Sequence, residues 1–400
     1  MKIRATQRRK SRQSKRIEEG KAVFVLSPLL ALLALPVLIA GPISAADPGT
    51  TSADFLKMGI GPRAVAMGEA QVGLADDVYA TYWNPAGLAQ LQNREAGFVQ
   101  TQYIQDIQSE FAAYAQPHPT LGTFAGSVTY LNVGKFDSFD ASGQPAGQVG
   151  ANDAALAFSY ALPVVRNQRM SSQLSAGVTG KYIQERLDTV TAHAYAMDAG
   201  LLYAPGKEFG EALEGMKAGL AVRNLGSSMR FDQESFNLPR SVTAGLSWTG
   251  VWLGESLTMT LDGEQPNDGK RTVGAGVELS TLQLLILRGG YTSKGDLGTG
   301  LRLGAGLRFK TVQVDYAFAA AGDLGQTHRF GLTFRFGTTP PDPLVIAQDW
   351  YQQGMRKYRQ AHYSEALVDF NKALEVDPSH PKALEMMKET YAKLKAITPQ

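Results

Sequence analysis

The residues best placed for chemistry are two adjacent carboxylates, Asp76 and Asp77, preceded by Arg63. Neighbouring carboxylates seldom face one substrate, so this pair does not read as an acid–base dyad. Capping a helical turn over residues 78–82, or pairing with Arg63, suits them better. A nucleophile is equally hard to find. The chain has no cysteine, which removes thiol nucleophiles, disulfides and zinc–thiolate sites. Its five histidines argue against a His-rich metal site. The sequence carries no G-x-S-x-G, Walker A or H-E-x-x-H pattern. The glycine-rich run GLRLGAG at residues 300–306 lies in a strand pattern with no following helix, so it is not a dinucleotide fingerprint. No catalytic residue, metal or cofactor is expected.

Arg63, Asp76 and Asp77 belong to a segment over residues 55–89, FLKMGIGPRAVAMGEAQVGLADDVYATYWNPAGLA. It is too rich in Gly and Ala for an ordinary helix and too apolar for a linker. Gly59, Gly61 and Gly68 permit positive φ and close backbone approach. Pro85 keeps Asn84 out of the αR region and fixes a turn, and the Asn84 side chain can bond the backbone beyond it. Arg63, Asp76, Asp77, Trp83, Asn84 and Pro85 form the candidate site. They either hold the segment's own fold or border a ligand; a buried irregular segment must first satisfy its own backbone. A small-residue segment that folds back just ahead of a strand-rich region reads as a plug.

Ahead of it, residues 1–46 read as a secretory leader. Residues 1–21 hold nine Lys/Arg against Glu18 and Glu19, an apolar run follows over 22–40, and Ser44-Ala45-Ala46 offers a cleavage site. Nine of the 39 basic and two of the 37 acidic residues fall in this leader, which leaves the remainder near −5. Nucleic-acid binding thereby loses its electrostatic support. Past the leader no second apolar run of about 18 residues occurs, so helical membrane spans are not expected.

Residues 94–337 alternate with period 2. Leu301, Leu303, Ala305, Leu307 and Phe309 share one face, opposite Arg302, Gly304, Gly306 and Arg308. Phe330, Leu332, Phe334 and Phe336 oppose Arg329, Gly331, Thr333 and Arg335, while Val314 and Tyr316 flank Asp315 on the other face. A greasy face opposite a small or charged one, in segments of about 9–11 residues, fits a transmembrane β-barrel. Tyr103, Tyr160, Tyr203, Trp248, Tyr291, Phe309 and Phe336 near segment ends suit interfacial girdles. The expected fold is an all-β transmembrane barrel of about 14 antiparallel strands, with an N-terminal plug at residues 47–93 and a small α-helical C-terminal extension. Residues 134–152 read as a long polar loop, and 206–215 as a short helical turn at the rim. Arg302, Arg308, Asp315, Arg329 and Arg335, with Lys181, Arg223 and Arg288, are candidate lumen charges, either paired within the wall or guiding an anionic group.

The plug residues also carry a resemblance. Phe55-Leu56, Gly59, Gly61, Arg63-Ala64, Met67-Gly68, Ala75-Asp76-Asp77 and the run Tyr82 through Leu88 are similar to the PorV/PorQ family of FadL-like outer-membrane barrels. Glu69 departs from the pattern, where a second glycine is usual. The resemblance implies an outer-membrane location. It also implies one of two roles, protein export to the cell surface or passage of hydrophobic small molecules.

Residues 338–346 read as a stiff Pro-rich linker, and residues 347–400 as a helical domain resembling one tetratricopeptide repeat. Trp350, Gly354, Tyr363, Ala366, Phe370, Ala373 and Pro378 match its packing positions, while Gln353 and Lys357 depart from them. Such a unit favours protein partners, periplasmic or exported, with the tail in the periplasm. Outer-membrane lipid is the other expected partner. A channel with a hydrophobic ligand is the alternative, and it predicts an apolar pocket between plug and wall.

Overall fold

The computed structural model describes residues 49–103, 107–140, 142–166, 173–206, 213–231, 233–282, 284–294, 298–320, 325–338 and 343–397. The expected leader, and most of the expected rim turn at 206–215, lie outside the described residues. The chain divides into a barrel and a helical tail, each compact in itself.

Fourteen strands close into one antiparallel barrel. In chain order they begin with β1 (Asn93–Gln102), β2 (Gln108–His118), β3 (Gly122–Phe139), β4 (Pro145–Arg166), β5 (Gln173–Leu187), β6 (Val190–Ala204) and β7 (Met216–Gly226). Two short strands, β8 (Met229–Phe231) and β9 (Glu234–Phe236), pair as a separate hairpin between β7 and β10. The barrel resumes with β10 (Ser241–Trp252), β11 (Glu255–Pro266), β12 (Thr272–Thr281), β13 (Leu285–Thr292), β14 (Leu301–Phe309), β15 (Val312–Ala320) and β16 (Gln326–Thr338), and β16 closes on β1.

The alternation sorts as its period requires. Leu301 and Leu303 are 60% and 61% exposed on the outside, whereas Asp315, Arg329 and Thr333 are buried toward the lumen. An outer wall of exposed Leu, Val, Phe and Tyr is stable only in contact with lipid. Two expectations need correction. Most of residues 134–152 are strand and not a polar loop: β3 and β4 keep pairing from Gly134↔Ala151 up to Phe139↔Pro145, past a bulge at Asn132/Gly134. The Gly and Ser residues there made a ladder look like a loop. Tyr103 does not join an outer girdle: it faces inward, where Arg329 Nη2 donates to its hydroxyl and the guanidinium lies 5.3 Å from its ring.

The lumen is filled by the chain's own N-terminal segment. Between residues 59 and 88 only Glu69 and Asp76 escape full burial. The segment comprises a 3-10 turn (Asp54–Lys57), helix α1 (Pro62–Ala66), helix α2 (Ala80–Trp83) and a second 3-10 turn (Pro85–Gln90). Helix α2 starts two residues later than the expected turn at 78–82. Phe55 and Leu56 pack with Leu131, Ile183, Ala194, Met229 and Leu238 into an apolar cluster against the inner face of β3–β6.

In the tail, helices α3 (Pro343–Arg359), α4 (Tyr363–Val376) and α5 (Pro381–Ile397) pack in sequence. Helix α3 begins at Pro343, inside the stretch expected to be linker, because proline is tolerated in a first turn whose N–H groups have no helical partner. Ala366, Phe370 and Ala373 are fully buried, and Gly354 lies against the Phe370 ring, where a Cβ would come within 2.6 Å. Trp350 stacks under Lys372 at 4.2 Å, and Tyr363 meets Tyr358 edge-on at 5.4 Å; Pro378 is exposed in the α4–α5 turn. Lys357, which departs from the repeat pattern, pairs with buried Asp369 at 2.9 Å.

Candidate functional site: the plug and its seat

Arg63 leaves helix α1, whose start is set by Gly61 at φ 87° and by Pro62 in its first position. Its guanidinium is forked onto Glu278 of β12, with Nε and Nη2 each 2.8 Å from a carboxylate oxygen. Nη1 reaches Asp76 at 2.5 Å and Asp77 at 3.3 Å. Asp77 also accepts from the Tyr79 N–H at 3.0 Å, ahead of helix α2. Both acids therefore pair with Arg63, and Asp77 alone bonds the turn ahead of helix α2, whose N-cap Tyr79 has no side-chain cap.

Glu278 passes the network into the wall. It accepts from Arg288 Nε of β13 at 2.7 Å, and Arg288 Nη1 donates to Asp315 of β15 at 2.6 Å. Gln313 donates to Asp315 at 2.7 Å and accepts from Arg308 at 2.9 Å and Arg335 at 3.0 Å. Arg335 donates to Glu95 of β1 at 2.8 Å, and Glu95 accepts from the Val78 N–H at 3.1 Å. The chain of contacts thus starts in the plug, runs through strands β12 to β16 and β1, and returns to the plug. Arg302 and Arg329 stand apart: Arg302 donates to the Leu301 carbonyl and Arg329 to Thr327.

On the opposite wall, Asn84 does the stitching. It is fully buried and extended at φ −157°, as the following proline demands. Its Oδ1 accepts from the Ala86 N–H at 3.1 Å, while Nδ2 donates to Val72 O at 2.9 Å and to Leu201 O of β6 at 3.1 Å. Trp83 Nε1 donates to Ile60 O at 2.9 Å, and Arg223 of β7 lies 5.5 Å from the Trp83 ring. Pro85 rests on Gly177 of β5, where a Cβ would lie 2.4 Å from the Pro85 carbonyl carbon.

That contact is one of several. Cβ atoms on Gly200, Gly219 and Gly290 would fall 2.0, 2.1 and 2.3 Å from Asn84 Oδ1, Val72 O and Gly68 N. Inward glycines on β5, β6, β7 and β13 therefore form a seat shaped to plug backbone. Asp262 of β11 completes it by accepting from the Val72 N–H at 2.7 Å. Sequence reasoning did not single out this seat, Glu278, Glu95 or Asp262. The available signal was an inward-phase glycine or acid in otherwise regular strands.

Glu69, the departure from the family pattern, adopts φ 65°, the left-handed region in which glycine is unstrained. It is held there by Lys294, whose Nζ lies 3.1 Å from its carboxylate and also donates to Lys57 O at 3.0 Å. Burial opposes the Lys294 charge, but Glu69 and Glu264 outweigh it and raise its pKa well above the usual lysine range. Lys57 in turn pairs with Asp54 at 2.7 Å and with Asp268.

A closed fourteen-stranded barrel with an apolar outer belt and a stitched-in N-terminal plug defines a plugged outer-membrane β-barrel. The chain belongs to the PorV family: the model described as Type IX secretion system protein PorV matches residues 45–252. It is 24% identical over 406 residues to a UPF0164 protein of Treponema pallidum (strain Nichols), covering 94% of this chain and 93% of that one. Among solved structures it is similar to the Ralstonia pickettii toluene transporter TbuX, with TM-score 0.50 and 14% identity, covering 70% of this chain and 99% of that one. A Pseudomonas aeruginosa FadL homologue aligns with TM-score 0.41 and 13% identity, covering 73% and 100%. These likenesses concern the fold.

Proposed function

We propose that this chain is a non-enzymatic outer-membrane barrel that serves protein export or envelope assembly, with its helical tail binding proteins in the periplasm. The observation that carries this reading is the lumen. The plug is locked by buried charges that are already paired, and the space beside β3–β6 is packed with the chain's own Phe55, Leu56 and Met229. A lumen occupied in this way suits a docking body better than an open path for small molecules. The match to the PorV model supports the same direction.

An even strand number brings β1 and β16 to the same barrel end. The turns at that end include the tight β10–β11 and β14–β15 connections, while the opposite end carries most of the longer connections and the β8–β9 hairpin; the long β6–β7 connection and the tight β5–β6 turn are the exceptions on either side. Short periplasmic turns and long outer loops are usual in such barrels, which favours an orientation with the tail in the periplasm. The tetratricopeptide-like packing of α3 and α4 supports protein binding there.

The test is affinity capture from outer membranes with the full chain and with a chain ending at Gly337. Protein partners that disappear on truncation support the reading. Identical partners from both chains, or a hydrophobic molecule recovered from the lumen with no protein partner, refute it in favour of a channel.

A further inference from the structure

The outer wall is not convex all the way round. Over β1–β6 it forms a shallow open groove of about 980 Å³, and a second of about 540 Å³ adjoins it, with Phe98, Ala112 and Val128 common to both. The cause is a small-residue phase on the lipid side. Gly126 pairs with Phe158, which pairs with Gly180, so the floor falls away between aromatic walls. One row up, Leu156, Tyr182 and Tyr195 continue the wall. This face differs from the plug seat, because Gly126 and Gly180 point outward while Gly177 and Gly200 point in.

The groove has a polar crest. Above Tyr182, the outward residues Gln184 and His193 are paired in register, and above them come Asn152, Arg186 and Thr191. The Tyr182 hydroxyl is bonded to His193 Nδ1 at 2.7 Å, and Arg186 Nε donates to Asp188 O at 3.0 Å, which holds its guanidinium at that end. From Tyr182 to Arg186 is about 13 Å of strand. A cation at the end of an apolar trough, set at the boundary of the apolar belt, matches a phosphate joined to acyl chains.

We propose that the β1–β6 groove holds a resident phosphate-headed lipid of the outer leaflet, acyl chains over Gly126 and Gly180 and phosphate at Arg186. The leaflet rests on the orientation proposed above; the groove does not. Shape alone would also admit the wall of a second membrane protein, but the cationic crest favours a lipid.

The experiment is native mass spectrometry of the full-length protein in nonionic detergent, with phosphatidylglycerol or phosphatidylethanolamine added. One phosphatidylglycerol should survive conditions that strip detergent, with phosphatidylethanolamine held several-fold less. Filling the floor with Gly126→Leu and Gly180→Leu should cut retention about tenfold or more, since the added methyl groups take the volume of the acyl chains. Arg186→Gln should remove the preference between the two lipids. Val277→Phe on β12 is the control for added outer-face bulk, and heat-modifiable migration confirms that each barrel is folded. Retention no higher than that of detergent, equal retention by the filled variant, or a bound second protein in place of lipid would overturn the proposal. The chain has no cysteine, so Arg186→Cys can be labelled selectively. Labelling by an impermeant maleimide on intact cells supports the outer leaflet. Labelling only after lysis overturns the orientation and leaves the groove standing.

Discussion

Glu278→Gln is the sharpest test of the plug lock. Among the described residues Glu278 is the one carboxylate shared by Arg63 of the plug and Arg288 of the wall, with contacts of 2.7–2.8 Å to both. Glutamine keeps the shape but removes the charge, so two buried guanidiniums lose their common counter-ion. Breaking one side of a buried pair costs about 3–5 kcal/mol. Asp76 and Asp77 still face Arg63, and Asp315 still faces Arg288, so the lower end of that range applies to each arginine separately. At 1.36 kcal/mol per tenfold, a shift of about 3 kcal/mol changes the docked-to-undocked ratio by roughly two orders of magnitude. The assay is single-channel conductance in planar bilayers, paired with protease cleavage within residues 55–89. The variant should show frequent openings and a cleavable plug while its barrel keeps heat-modifiable migration. A folded Glu278→Gln barrel with wild-type conductance and an intact plug would refute the claim that this network holds the plug.

Further outcomes follow from the same geometry. Gly200→Val places a Cβ about 2.0 Å from Asn84 Oδ1, so the plug should fail to seat; protease sensitivity near Asn84, with the barrel still heat-modifiable, checks it. Asn84→Ala removes three hydrogen bonds to the backbone. It should weaken plug docking by about 1–3 kcal/mol, read as a lower denaturant midpoint for plug proteolysis. Gly354→Val drives a side chain into the Phe370 ring, and residues 343–397 should be degraded faster in the full chain while the barrel resists. Lys294, with its pKa raised above 10.5, stabilises the plug at all pH values below that and loses its contribution only as pH climbs through the raised value. Protection of residues 51–69 should therefore be flat from about pH 8 to 10 and fall above, whereas Lys294→Met should lower it throughout.

The sequence was most legible where one physical period dominates. A lipid-facing strand must alternate, so Leu301 through Phe309 and Phe330 through Phe336 announced both the barrel and which residues face the lumen. The helical period and the small Gly354 and Ala366 likewise located the tail's core. Local chemistry also showed through: Pro85 predicts the extended Asn84, and the glycines predict a segment packed backbone-close. Where the period weakened, reading failed. The Gly- and Ser-rich residues 134–139 and 145–152 pair as strands because each edge supplies the other's hydrogen bonds, which no single stretch reveals.

Partnership was beyond the sequence altogether. Arg63 lies 215 residues from Glu278, and Arg335 lies 240 from Glu95. Many carboxylates could have served either arginine, and only closure of the barrel brings these within hydrogen-bond reach. The same holds for the glycines at 177, 200, 219 and 290, which are unremarked in their own strands and become a seat once a plug backbone lies on them. What the sequence determined by itself is which face each residue takes, because that follows from the period of the local backbone. What only the tertiary structure decided is which residues meet, because ion pairing and close packing depend on distance in space and not along the chain.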